Sequence, residues 1–376
     1  MFAVRRSAIF GAVVILAVGR IASAQTAPRE EDLAPYAATP LPATIITREM
    51  IAQSGARSLR EVVLAYVPGL SALQAPSEQS VAMRGVYGEM PQQILLLVDG
   101  HVVNARSTGA APLDVGLTLD NVDRIEVERG PASTWGAGAL TATIHVHTRP
   151  TTTTMAPDVR VSLGSMGQRR LSFVSSGTAA GSGTYLAWGA VAASSGQQLP
   201  SDTLPRYAQT PGSASVTADR MAAPASHDVG VRYERGPLAV FATHRTGHSS
   251  EPLSGGGVTG QTYTASSFAT IDGVEPGMAT STSSVGVSVD APLTTSSALS
   301  VRAYADARGF TRHAVVDPVV GAHTVAHWNE WDAGLRTTVS GQQASGPGAR
   351  DWMLGAQWDR ARVEDSALYA GTGGAL

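Results

Sequence analysis

The chain has 376 residues; its 27 basic side chains are all arginine, and with 30 acidic ones they give a formal net charge of −3. So even a balance excludes a nucleic-acid binder driven by bulk positive charge, and the absence of cysteine excludes disulfide scaffolds, thiolate metal sites and cysteine nucleophiles. Charged residues make up only 15% while glycine reaches 40 residues and apolar content 43%, a composition that favours a folded, all-β chain.

The N-terminus reads as an export signal over residues 1–24. Arg5 and Arg6 form a basic start, Ala8 to Val18 is an apolar run too short to span a bilayer as a helix, and Ala22-Ser23-Ala24 fits a small-x-small cleavage site. A membrane anchor is the competing reading. No later segment reaches 18 consecutive apolar residues, so no transmembrane helix is expected. Residues 25–43 carry Pro28, Pro35, Pro40 and Pro42 and are expected to be flexible.

Residues 44–149 read as a small α+β domain. Thr44 to Ile46 is a short strand, followed by a helix from about Arg48 to Gln53 that stops at Gly55. A second helix opens at Ser58, which with Glu61 has capping-box spacing; Leu59, Val62, Val63 and Tyr66 form its apolar stripe, and Pro68-Gly69 ends it. Ile94 to Val98 is an apolar run closed by the turn pair Asp99-Gly100, which suits a buried strand. In Arg124 to Arg129 the core residues Ile125 and Val127 alternate with charged ones, and Thr141 to Thr148 alternates likewise. Gly85, Gly100, Gly130 and Gly136 fall where tight turns are expected.

After Pro150 the pattern changes to period-two alternation in segments of eight to twelve residues. The clearest are Val159–Ser165, Arg169–Ser176, Tyr185–Ser194, Asp228–Arg235, Leu238–His244, Ser284–Pro292, Leu299–Arg308, Glu330–Val339 and Asp351–Arg362. Long links such as Gly196–Ala225 and Ser249–Gly260 alternate with short ones such as Gly236-Pro237. Strand length, two unlike faces and alternating link lengths describe an outer-membrane barrel. In the last segment Trp352, Leu354, Ala356 and Trp358 share one face, their indoles about 20 Å apart at ~3.3 Å per residue, as interfacial aromatics at both edges of an apolar band would be. A soluble β-sandwich is the alternative.

The first domain resembles the plug of TonB-dependent outer-membrane receptors. The resemblance rests on Ile45 to Ile51, Ser58 to Val63, Val67 to Leu70, Met83 to Gly88, Leu95 to Gly100 and, above all, Asp123 to Gly136, in the family's order over about 105 residues. It implies a plug followed by an antiparallel transmembrane β-barrel, a nutrient receptor or transporter in a Gram-negative outer membrane, and no enzymatic activity. Expected ligands are a ferric siderophore, haem or cobalamin, bound by outward plug loops. Tyr87, Glu89, His101, Asn104, Arg106 and Ser107 are the candidates for ligand contact. Arg84, Arg124, Glu126, Glu128 and Arg129 are the candidates for ionic plug–barrel contact. Implied partners are outer-membrane lipid and the energy-transducing TonB protein, but no nucleic acid. Between Gln25 and Pro42 no TonB box is legible; Glu30-Glu31-Asp32-Leu33 comes nearest.

Two departures shape the expectation. The plug's closing block, which in the family reads with asparagines and isoleucines, runs here from Gly136 to Thr148 in a relaxed form. Residues 150–376 allow about ten strands where such transporters have about 22, so a truncated or partial chain is expected. A non-transporting binding or signalling protein and an outer-membrane barrel enzyme are the alternative functions. His145 and His147 lie two apart on one strand face with no third ligand nearby, which favours a structural or solvent-facing pair over a metal site. No metal or cofactor is expected, and no nucleophile motif is present to build a catalytic triad on.

Overall fold

The computed structural model describes residues 43–74, 79–86, 91–113, 116–131, 138–165, 167–194, 198–200, 215–217, 223–250, 277–317, 322–345 and 348–372. The export signal, residues 25–42 of the N-terminal segment, Tyr87, Glu89 and Gly136 lie outside the described residues.

The N-terminal unit forms where local chemistry predicts it. Strand β1 (Ala43–Thr47) leads into helix α1 (Arg48–Ser54), whose first turn is capped by the Thr47 hydroxyl and which ends on Gly55 at φ 66°. Helix α2 (Leu59–Tyr66) starts at Ser58, whose side chain accepts the Glu61 amide. Glu61 returns the bond one residue earlier than a capping box would, to the Arg57 amide at 2.7 Å, and also grips the Arg57 guanidinium. A hairpin of β2 (Leu70–Gln74) and β3 (Gln79–Met83) follows. Strands β4 (Ile94–Val98), β5 (His101–Val102), β6 (Val122–Arg129) and β7 (Ala142–Thr148) join β1 in a sheet of order β1-β6-β7-β4-β5, antiparallel except where β4 meets β7.

One face of this sheet packs on the two helices. Ile46, Ile51, Leu59, Val62, Val63, Leu96, Ile125, Val127, Ile144 and Val146 are buried together there. Losing a side chain such as Leu96 from that core would cost about 2–5 kcal/mol. Strand β7 departs from the expected single core face: all seven of its residues are buried, Thr143, His145 and His147 included. The two imidazoles stack with centroids 4.1 Å apart, so the pair is structural and does not face solvent.

The remaining strands build one antiparallel sheet. Its members are β8 (Thr154–Leu163), β9 (Arg169–Ala179), β10 (Gly183–Ser194), β13 (Ala223–Arg235), β14 (Leu238–Ser250), β15 (Gly277–Thr294), β16 (Ser297–Asp317), β17 (Ala322–Ser345) and β18 (Gly348–Thr372), in chain order from one edge to the other. Between β10 and β13 a two-stranded pair, β11 (Gln198–Pro200) and β12 (Ser215–Thr217), interrupts the stretch read as one long link.

Polarity in this sheet is inside out. The face toward the N-terminal unit carries buried Asp228, Arg245, Asp306, Arg308, Glu330 and Asp332, while Val161, Phe173, Val231, Val285, Leu335 and Leu354 stand exposed on the other. A water-soluble sandwich would bury the second set. The exposed set also climbs across the sheet. The ladder row that begins at Val161 runs through Leu171, Val191, His227, Thr246, Ser281, Gly309 and Asn329 to Glu364. On β18, however, the apolar residues centre between Trp352 and Trp358, about nine residues below Glu364, or ~30 Å at ~3.3 Å per residue. Eight strand-to-strand steps of about 4.8 Å separate the edges, so a level apolar belt requires strands tilted by about 38°, within the ~35–45° of membrane barrels.

Candidate functional site

The densest chemistry lies where the N-terminal unit meets the inward face of the sheet. Among the described residues three short segments of the unit make most of these contacts, the Asp99-Gly100 turn, the 104–107 loop and Thr118–Asp120, while Arg48 and Arg149 reach Asp158 on β8 at 3.6 and 2.9 Å.

The turn between β4 and β5 needs two positive φ angles, 48° at Asp99 and 77° at Gly100, and Asp-Gly supplies them with little strain. Its carboxylate is held from within by the Thr148 amide at 2.8 Å and hydroxyl at 2.6 Å. From the wall, Arg232 reaches an Asp99 carboxylate oxygen at 3.1 Å, and Arg302 donates to the Asp99 carbonyl at 2.8 Å. Next to the turn, His101 Nε2 lies 3.0 Å from Asp306, with its ring against Tyr304 and Phe241.

The 104–107 loop is shaped by Asn104. Its buried amide accepts the Leu96 N–H and donates to the carbonyls of Ile94 and Gly109, all at 2.8 Å. That clamp presents the consecutive amides of Arg106 and Ser107 to the two oxygens of one buried carboxylate, Glu330, at 2.9 and 2.8 Å. The Arg106 guanidinium reaches Asp332 at 3.2 Å and the Tyr304 hydroxyl at 2.6 Å, and lies 3.5 Å from Asp359. Burial works against its charge, but Tyr304, Asp332 and Asp359 outweigh burial and raise its pKa. The Ser107 hydroxyl accepts the Trp328 indole N–H at 3.0 Å.

On the wall side this is a carboxylate cage. Arg308 touches Asp306, Glu330 and Asp332, and all four side chains are buried. Three carboxylates share one wall guanidinium, and the balance comes from Arg106, His101 and two backbone amides of the N-terminal unit. Buried carboxylates need such partners. A second cluster gathers around buried Asp228, which accepts the Thr118 amide at 2.9 Å, the Trp188 indole at 3.2 Å and Arg245 at 3.3 Å. Arg170 binds Asp120 at 2.6 Å and also the Thr118 hydroxyl.

Of the residues proposed for ligand contact, His101, Arg106 and Ser107 thus face the wall, and Asn104 is an internal clamp. Of those proposed for ionic contact with the barrel, Arg124 and Glu126 bond each other at 2.7 Å, and Glu126 lies 3.4 Å from His147, all within the N-terminal unit. Glu128 and Arg129 continue the same strand opposite Thr143 and Ala142. Arg84 takes φ 52° beside Gly85, and its amide bonds the Gly69 carbonyl. The cage residues Asp306, Arg308, Glu330 and Asp332 were not singled out by sequence; their only signal is charge recurring at period two among small residues.

Comparisons with known proteins agree with this geometry. Residues 35–143 match the family described as TonB-dependent Receptor Plug Domain. A stretch of 133 residues, 35% of this chain, is 29% identical to the vitamin B12 transporter BtuB of Vibrio vulnificus (strain CMCP6) and covers 21% of it. In fold, 89% of the chain superposes on half of the ferric yersiniabactin uptake receptor FyuA from Yersinia pestis, with a TM-score of 0.61 at 15% identity. The pyoverdine receptor FpvA of P. aeruginosa gives 0.63 at 16% identity over 88% of this chain and 43% of its own. The chain therefore spans about a fifth of the length of that curated relative and about half that of these solved receptors. Residues 35–143 thus match a TonB-dependent receptor plug domain, and the fold of the chain is similar to about half of these solved receptors.

Proposed function

We propose that this chain acts in an outer-membrane receptor that takes up a scarce nutrient, a metal chelate or cobalamin, with residues 44–149 as the plug and 150–376 as barrel wall. The observation that carries the reading is the carboxylate cage on the wall, filled by Arg106 and the amides of Arg106 and Ser107 from the plug. A plug held by ion pairs and hydrogen bonds, with little apolar contact, is fixed in position and orientation yet adds little net stability. That suits a stopper that must be released. The inside-out sheet supports placement in the outer membrane. The receptors and transporters it resembles bind vitamin B12, ferric yersiniabactin and pyoverdine, which sets the ligand class to be tried. Energy coupling would come from a TonB protein pulling on the segment that precedes Ala43, through β-strand addition.

Uptake of labelled cobalamin and of ferric chelates, measured in a strain deleted for this gene and in the same strain complemented, tests the reading. Loss of one nutrient on deletion, its return on complementation and its dependence on an intact TonB system are the expected results. Unchanged uptake and growth on every nutrient tried would favour a binding or signalling role without transport. Membrane fractionation should recover the protein with outer-membrane markers.

A further inference from the structure

A cleft of about 700 Å³ lies between the N-terminal unit, at helix α1 and Gly116–Asp120, and the inward face of strands β8, β9, β10, β13 and β14. It shares no residue with the carboxylate cage, and its charge is the reverse. Arg48 from α1, Arg149 at the end of the N-terminal unit and Arg160 on β8 each bring a guanidinium nitrogen to the same oxygen of Asp158, at 3.6, 2.9 and 2.9 Å. Among the described residues Asp158 is the one carboxylate within ion-pair distance of any of the three, so the trio keeps two positive charges in surplus. The other charges of the cleft are matched: Arg170 by Asp120, Arg57 by Glu61 and Asp228 by Arg245, while exposed Glu49 and Arg169 offset each other. Arg149 registers the surplus. It is buried, and burial first, then Arg48 and Arg160, push its pKa down against the pull of Asp158. Arg106, which the cage surrounds with acidic groups, shifts the other way.

We propose that this cleft binds a doubly negative oxyanion, the phosphate group or paired carboxylates of a small ligand, on the guanidiniums of Arg48 and Arg160. Their side chains are 41% and 44% exposed, against 4% for Arg149. The first two therefore offer N–H groups to the cleft, and the third adds its charge from within the protein. A guanidinium carries five N–H donors in a planar fork suited to phosphate and carboxylate oxygens, and Asp158 engages only part of each. A cluster that served only to latch the plug would match its charges, as the Arg170–Asp120 and Asp228–Arg245 pairs do; the surplus sets this one apart. A dianion brings it to neutrality, whereas a neutral ligand leaves it unchanged and a cation is repelled. At the ~30 Å³ that a water molecule occupies in liquid, the space takes about two dozen non-hydrogen atoms, so the oxyanion can belong to a larger molecule. Binding here does not depend on transport, and it can fail without touching the uptake reading.

The test uses the full chain folded in detergent micelles, with folding checked by circular dichroism. Equilibrium binding of labelled inorganic phosphate and of labelled malonate is measured at mildly alkaline pH, where both are doubly charged, with malonamide as a neutral control of similar shape. Saturable binding of phosphate, malonate or both is expected, weakening with salt, and the tighter of the two identifies the oxyanion preferred. Arg160→Gln should weaken binding about tenfold, the loss of one charge-assisted contact, while Arg160→Lys should recover part of it. Asp158→Asn enlarges the positive surplus and should tighten binding, a gain that structural damage alone would not give. If either variant misfolds, Ser162→Glu, which sets a carboxylate in the same cleft on β8, should weaken binding. The proposal is overturned if the folded wild type binds neither anion saturably, if malonamide binds as well as malonate, or if the folded variants do not shift the affinity in these directions.

Discussion

The imidazole of His145 accepts the backbone amide of Gly100 at Nε2, 3.0 Å away. An amide N–H can only donate, so this nitrogen carries no proton, and the neutral ring keeps its hydrogen on Nδ1. One turn of chain thus couples the buried strand β7 to the wall, because Asp99, adjacent to Gly100, meets Arg232 and Arg302. His145→Leu leaves the Gly100 amide without its acceptor at a half-buried site. Unfolding stability should fall by about 1–3 kcal/mol, read as a lower thermal midpoint. His145→Gln, whose side-chain oxygen can still accept, should lose less. Equal losses from both would mean that packing matters here and the hydrogen bond does not.

Arg106 is the plug's charge in the carboxylate cage. With Arg106→Gln, Asp332 keeps Arg308 but loses its second cation, while Glu330 keeps Arg308 and the two backbone amides. Breaking a buried pair costs about 3–5 kcal/mol; Arg106 is partly exposed, so roughly 1–3 kcal/mol is expected here after solvent screening. Amide hydrogen exchange at Arg106 and Ser107 should quicken accordingly, since both amides bond Glu330. Adding Asp332→Asn should restore part of the protection by removing the excess negative charge. No recovery in the double variant would deny that charge balance holds the loop.

Why one part of this was legible in sequence and another was not follows from how far apart the partners lie. Both helices and β4 announce themselves within a few residues, through Gly55, Ser58 and the Asp99-Gly100 pair. All nine sheet strands were legible for the same reason, because alternation is local. Their lengths were not: Glu330–Val339 grew to Ala322–Ser345, and Asp351–Arg362 to Gly348–Thr372. About half of the added residues are alanine, serine, threonine or glycine, which alternate weakly, and it is the neighbouring strand that keeps them extended. The cage has no local signature. Arg106 and Glu330 stand more than 200 positions apart, whereas Arg124, Glu126 and Glu128 sit side by side and attract notice, yet Arg124 and Glu126 pair with Asp123, His147 and each other. Local order exposes clusters in the chain; packing of the open wall against the plug makes clusters in space.

Glu126 gives the plug an acid limit. His147 beside it, and then Arg124, hold its carboxyl down at about 2, from an ordinary 4.5, against the partial burial that would raise it. The folded state therefore binds this proton more weakly than the unfolded state does. The resulting stability is fully present above about 4.5 and is lost as the pH falls toward about 2. Glu126→Gln should be less stable than the wild type near neutrality, and the difference should shrink across that window. Denaturation midpoints from pH 6 down to pH 2 would show it, and a constant gap over the whole range would count against the pairing.

The tilt of the apolar belt makes a position-specific prediction about lipid. Stepping from Val161 on β8 toward the Trp352–Trp358 midpoint on β18, the belt falls by about one residue per strand, which puts its centre on β15 near Val287 and its rim near Ser281. Both side chains are on the outward face, in the rows Val240–Val287–Ala303 and Thr246–Ser281–Gly309. Val287→Arg should therefore cost about 2–4 kcal/mol in phospholipid vesicles, the toll of an arginine at the bilayer midplane, and Ser281→Arg only about 0–1 kcal/mol. In detergent micelles, where the belt has no fixed thickness, the two should differ less. Urea unfolding of both variants in vesicles measures the contrast. If Ser281→Arg proved as damaging as Val287→Arg, the sheet would not cross a membrane at the angle its register implies.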